Sequence, residues 1–378
     1  MFFARGLFLA GIVWVLAGHP VIAQEAPLET SAHRAAVVYA GPGDSYRQLA
    51  VLRAGNAVQI IERNNIGNWL HVQEKDRNGF VKLDGWVMMG YLNHPAELRF
   101  SRLPVNTELA DADLSTVRSR SLAALYAAPV ISPISEAMRE VYALGQQLGN
   151  HSDVVTKVGD SLTFNPMYLE PMSDARYDLG PYDYLEDALL YFGPSTAGGS
   201  AAARMALATY VIFDPMWADK TLCQPDEPPL DCEYRRKQPS VAFILFGPND
   251  ARHTTREKYT EQMDKIVSET LNRGIIPVLS TFSAHPDETY WQQSIELNLG
   301  LLDVAARYDV PLINLWAAAR ALPDYGLDID KVHMKNSGFT YLKFSTGHES
   351  WYGTSLRNLL TLKMLDEIYH KIILEADS

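Results

Sequence analysis

Cysteine is nearly absent: the 378 residues carry two, Cys223 and Cys232. That excludes a disulfide-dense scaffold, and it leaves no further Cys or His neighbours to complete a zinc site. A pair closing the Pro-rich loop 224–231 is expected as a disulfide in an oxidising compartment, with two free thiols as the alternative. Basic runs are absent too. With 33 Lys and Arg against 45 Asp and Glu, the formal charge of −12 repels phosphate backbones, so no nucleic acid partner is expected. After the first 23 residues no segment approaches the ~20 apolar residues of a bilayer span. There is no internal repeat and no low-complexity tract. His348-Glu349 lacks the second histidine of a zinc-peptidase helix, and no metal or cofactor is expected.

What is present begins with Arg5 and an apolar run from Leu7 to Gly18, followed by Val21-Ile22-Ala23. Residues 1–23 read as a cleaved export signal, which predicts a periplasmic or extracellular protein with no membrane span after cleavage. A retained anchor is the alternative reading. The rest of the chain is long enough for two cores, expected over 32–93 and 134–378 with a Pro-containing linker at 94–133.

Short β-branched runs recur through the first of these segments: Ala35–Tyr39, Leu49–Leu52, Val58–Arg63, Gly67–Val72 and Gly85–Val87. Gly, Asn and Asp turns separate them, which predicts a small all-β barrel. The Gly41-Pro42-Gly43 turn, the Leu52 to Gly55 step, the Gly67-Asn68-Trp69-Leu70-His71-Val72 strand and the closing Gly85-Trp86-Val87 resemble the bacterial SH3-like family. The resemblance implies a module that contacts cell-wall peptides or glycans. For Trp69 and Trp86, core packing is the competing reading.

From residue 134 the pattern changes to strand alternating with helix. Helix is expected over 136–148, 255–272, 288–308 and 355–374, and strand over 154–158, 241–246, 275–282 and 311–316. This predicts an α/β fold with a doubly wound parallel sheet, whose ligands sit at the carboxyl ends of the strands. Two strands end there in chemically loaded motifs, Gly159-Asp160-Ser161 and Gly247-Pro248-Asn249-Asp250, and Asp330-Lys331-Val332-His333 follows downstream. Hydroxyl, amide and Asp/His pair are the parts of a serine acyl hydrolase.

In that order, the three motifs over residues 134–378 resemble the SGNH, or GDSL-type, hydrolase superfamily. The resemblance implies Ser161 as nucleophile, His333 as base and Asp330 as its orienting acid, with Asp328 a competitor for the last role. It implies an oxyanion hole from Ser161, Asn249 and a glycine, best matched by Gly198, with Gly199 as the near alternative. The expected activity is an exported esterase acting on O-acyl, above all acetyl, esters of a small molecule or of cell-wall or extracellular polysaccharide. A non-catalytic wall or glycan-binding protein on the same scaffold is the alternative.

Overall fold

The computed structural model describes residues 28–42, 46–64, 69–93, 103–106, 120–285, 288–338 and 342–376. The expected export signal, most of the expected linker, and parts of the Gly41–Asp44 and Gly67-Asn68 turns lie outside the described residues.

Six short strands build the first sheet: β1 (Leu28–Ser31), β2 (Ala36–Tyr39), β3 (Gln48–Leu52), β4 (Ala57–Arg63), β5 (Trp69–Lys75) and β6 (Val81–Met88). All pairings are antiparallel, in the order β1-β4-β5-β6-β2-β3. Inward-facing Val38, Leu52, Val58, Ile60 and Val72 alternate with more accessible neighbours, as a half-buried pleat requires. Trp69 and Trp86 are buried as well, on the face opposite Leu70 and Val87, where they pack against Tyr39 and His71. Part of the expected linker is structured: Val105 bridges to Arg63, and helix α1 (Arg120–Ala127) packs against the second region.

The second region alternates as expected: α2 (Ala137–Leu148), β7 (His151–Gly159), α3 (Ser161–Phe164), α4 (Glu186–Phe192), α5 (Pro229–Lys237), β8 (Pro239–Leu245), α6 (Arg256–Asn272), β9 (Ile276–Ser280), α7 (Trp291–Tyr308), β10 (Leu312–Ile313), α8 (Leu315–Ala319) and α9 (Gly353–Ile368). The strands are parallel in the order β10-β9-β8-β7, and β8 and β9 are buried along their whole length. Uninterrupted apolar runs suit strands covered on both faces. The strand expected over 311–316 is a correction: it stops at Ile313. The Asn314 side chain accepts the Ala317 N–H at 3.2 Å and starts α8 there, so Trp316 is helical.

Two glycines let the carboxyl end of the parallel sheet close. A Cβ at Gly159 would lie 2.1 Å from the Leu245 carbonyl oxygen, and one at Gly247 would lie 2.0 Å from the Phe282 ring. No other residue fits at either point.

Candidate active site

β7 ends at Gly159 and delivers Ser161 as the first residue of α3. Asp160 caps that helix: its Oδ1 accepts the Leu162 N–H at 2.9 Å. Ser161 is buried apart from its edge, 9% exposed, and its Oγ lies 2.9 Å from His333 Nε2. On the other side of the ring, Nδ1 lies 2.6 Å from Asp330 Oδ2. Ser161, His333 and Asp330 therefore form one continuous hydrogen-bonded chain.

Local loop geometry explains how an acid and a base three residues apart can meet. Asp330 Oδ1 accepts the backbone N–H groups of Val332 and His333 at 3.0 and 2.9 Å, leaving Oδ2 for the imidazole. Lys331 adopts a left-handed φ of 60°, and its N–H donates to the Asp328 carbonyl. The Asp328 N–H in turn donates to the His333 carbonyl, closing the loop. Burial works against ionisation of Asp330, but the bonds from His333 and the two amides outweigh it and hold the carboxyl below its usual range. The competing Asp328 spends its side chain on the Ile329 N–H instead.

Asn249 follows β8. Its Nδ2 donates to the Leu207 carbonyl at 3.0 Å, which fixes the amide group and leaves it a second N–H. The next residue, Asp250, accepts from both the backbone N–H and the hydroxyl of Thr209, at 3.1 and 2.5 Å. Residues 207–209 are thus tied to the Asn-Asp motif.

Ala203 pairs in parallel with Gly159, through Gly159 N–H to the Ala202 carbonyl and Arg204 N–H to the Gly159 carbonyl. In that register the chain reaches the level of Ser161 only beyond Arg204. Gly198, five residues before the bridge and across a turn from it, is exposed, with open space where its side chain would be. Gly199 shares its exposure. The stretch level with Ser161 is Arg204–Leu207, where Ala206 holds a left-handed φ of 61°. Because the left-handed residue there is an alanine, no glycine marks this stretch in the sequence.

Two further groups stand behind the serine. Burial raises Asp160 to about 7 and Asp250 to about 6, and the charge of Asp250 adds to the effect on Asp160. Both Oδ2 atoms are buried without a hydrogen-bond partner. Arg357 of α9, also fully buried, donates to the Leu162 carbonyl at 2.8 Å and to Thr163 Oγ1 at 3.1 Å.

Two open clefts lie near the loop that carries Asp330 and His333. One is bounded by Pro248, Arg252, Phe282, Tyr290, Lys331 and Val332; the other includes Met167, Asn336, Thr354 and Asn358. The disulfide Cys223–Cys232 is formed. Glu227 lies beside those sulfurs, but their mutual bond removes the thiolates a metal would need. Ser195, in a Gly-Pro-Ser turn that superficially resembles a nucleophile elbow, accepts the Val155 N–H and donates to the Phe192 carbonyl, a structural role.

Residues 34–93 match the family model of the bacterial SH3 domain. No curated protein sequence matches the chain. Among solved structures, the chain is similar to a lipase/acylhydrolase from Enterococcus faecalis at 19% identity and a TM-score of 0.36, covering 58% of this chain and 96% of that one. It is also similar to a GDSL-like lipase from Bacteroides thetaiotaomicron, at 11% identity and a TM-score of 0.37 over 61% of this chain and 97% of that one. An acetyl xylan esterase from Geobacillus stearothermophilus gives 14% identity and a TM-score of 0.35, over 58% of this chain and 95% of that one.

Proposed function

We propose that this chain is an exported serine esterase that hydrolyses O-acyl esters, acetyl esters of cell-wall or extracellular polysaccharide above all. The observation that carries the reading is the unbroken chain from Ser161 Oγ through His333 to Asp330, at 2.9 and 2.6 Å. With a proton on Nδ1 held by Asp330, His333 Nε2 takes the Ser161 proton as Oγ attacks the ester carbonyl. The tetrahedral oxyanion is met by the Ser161 backbone N–H, the Asn249 side-chain amide and a backbone N–H of the 204–207 stretch. Collapse breaks the bond to the alkoxide, which receives the proton from His333 and leaves. Water, deprotonated by the same nitrogen, then releases the carboxylic acid and restores Ser161.

The acetyl preference and the polysaccharide rest on the export reading of residues 1–23 together with the SH3 module, which would hold the enzyme at the wall. With Trp69 and Trp86 buried, any wall contact falls to other side chains of the module. Acid release from p-nitrophenyl acetate and from acetylated glycans tests the proposal, comparing the mature protein with Ser161→Ala and His333→Ala. Loss of turnover in both variants is expected. A folded protein that releases nothing from any ester would instead favour a non-catalytic wall or glycan-binding protein.

A further inference from the structure

The cavity beside His333 has an unusual electrostatic character for so acidic a chain. Arg252, two residues after Asp250, and Lys331, next to Asp330, both line it. Among the described residues the Arg252 guanidinium forms no salt bridge; it lies 5.8 Å from the centroid of the Tyr290 ring. Lys331 is held at its left-handed φ of 60° by the same loop that brings Asp330 to His333. Left-handed backbone at a long side chain is strained, and such strain concentrates at functional sites. Among the described residues Glu288 is the acid of this cavity, and its Oε2 accepts the Tyr290 N–H at 2.6 Å. The floor is apolar, from Phe282, Ala284 and Val332.

Position decides which part of a substrate enters. The departing oxygen has to reach His333 Nε2, so the alcohol half of the ester extends over the loop that carries Lys331 and Val332. We infer that this cavity binds the alcohol half of the substrate and that the alcohol carries a carboxylate, received by Arg252 with Lys331 beside it. An apolar body laid against this floor with an anion at the rim suits the lining and its charge; guanidinium is the side chain best suited to a planar carboxylate. The substrate class is thereby narrowed to esters of carboxylated alcohols, such as acidic sugars or hydroxy acids. This rests on the serine esterase reading of the same site.

Two measurements separate the inference from that reading. The first is the ratio of kcat/KM for 3-acetoxybenzoate to that for its methyl ester, each divided by its hydroxide-catalysed rate. A ratio of about tenfold or more in favour of the acid is expected, the worth of one charged hydrogen bond. It should fall with added salt and collapse toward one in Arg252→Gln and Lys331→Gln. A ratio of one or below in the wild type, or one that survives in the double variant, overturns the inference while leaving the esterase intact. The second is calorimetric binding of 3-hydroxybenzoate and 3-hydroxybenzamide to Ser161→Ala protein, which needs no turnover. Tighter binding of the carboxylate supports the anion site even if the esterase reading fails; equal binding, or none of either, overturns it.

Discussion

Arg357, in the last long helix of the chain, donates through Nη1 to the carbonyl of Leu162, the residue after the candidate nucleophile, at 2.8 Å. Its Nη2 reaches Thr163 Oγ1, and its guanidinium carbon lies 3.5 Å from the centroid of the Tyr168 ring. α3 is a single turn of four residues, too short to hold itself. The C-terminal helix supplies what that turn lacks, so the position of Ser161 depends on a residue almost two hundred positions away.

Replacing Arg357 by Met should therefore lower kcat while barely moving KM. A displacement of about 1 Å at a nucleophile can cost about a hundredfold. Stability should fall as well, by about 1–3 kcal/mol for each acceptor left unsatisfied. Arg357→Lys, which cannot span both acceptors, should recover stability better than rate. Steady-state kinetics with thermal melts on the three proteins would expose a purely structural role if rate and stability recovered together.

Asp160 and Asp250 make stability depend on pH in a direction opposite to that of ordinary paired carboxylates. Their folded values, about 7 and about 6, lie above the usual value near 3.8, because burial disfavours the charged forms. The folded chain then binds more protons than the unfolded chain between pH 4 and 7. Their contribution is fully present below about pH 4 and is lost as pH rises through the folded values. Denaturant midpoints for wild type, Asp160→Asn and Asp250→Asn across pH 4–8 should show the variants with a shallower decline over this window. An unchanged slope in both variants would mean that neither carboxyl is held neutral.

Much of this site was legible in the sequence because it follows strand ends. The apolar runs announced β7 and β8, and each delivers its motif directly, so Ser161 and Asn249 needed only short-range logic. Asp330 and His333 were legible as a spaced pair, although the left-handed Lys331 that makes the spacing work carries no glycine to betray it. Two features were hidden. Arg357 looks in sequence like a solvated helix charge, and only the burial of nearly every face of α9 turns it inward. The resemblance places a third oxyanion donor at Gly198, in a Gly-Gly-Ser, whereas the bridge beside the strand that delivers Ser161 is made by Ala203, five residues later. Strand pairing across more than forty residues leaves no local signature. The expected strand through Trp316 failed for the opposite reason: a local cap by Asn314 overrode an apolar run.

The disulfide bears on the same region. Cys232 sits in α5 beside Glu233, a fully buried acid whose Oε2 accepts the Ala201 N–H at 2.7 Å and whose Oε1 accepts the Thr156 hydroxyl. α5 thereby presses residues 201–203 against β7. Opening a loop of this size should lower stability by about 2–3 kcal/mol. Reduction, or the Cys223→Ser/Cys232→Ser double variant, should lower the melting temperature and reduce ester turnover by loosening the 201–209 segment. Melts and rates with and without reductant would contradict this if stability fell and rate did not.

The oxyanion assignment gives the sharpest contrast between two residues. Asn249 is fixed by its bond to the Leu207 carbonyl, so Asn249→Ala removes a positioned donor and should lower kcat by about 10²–10³, with KM little changed. Gly198 stands on the other side of the Ala203 bridge, with nothing within 4 Å of an added Cβ. Its φ of 79° means that Gly198→Ala strains the backbone, at about 1 kcal/mol of stability, yet the rate should stay near wild type. Ala206→Gly, by contrast, relieves a left-handed alanine and should raise stability by up to about 1 kcal/mol with turnover retained. If Gly198→Ala instead lost as much rate as Asn249→Ala, the loop would have to fold back over the serine, and the donor expected from the motif would be the right one after all.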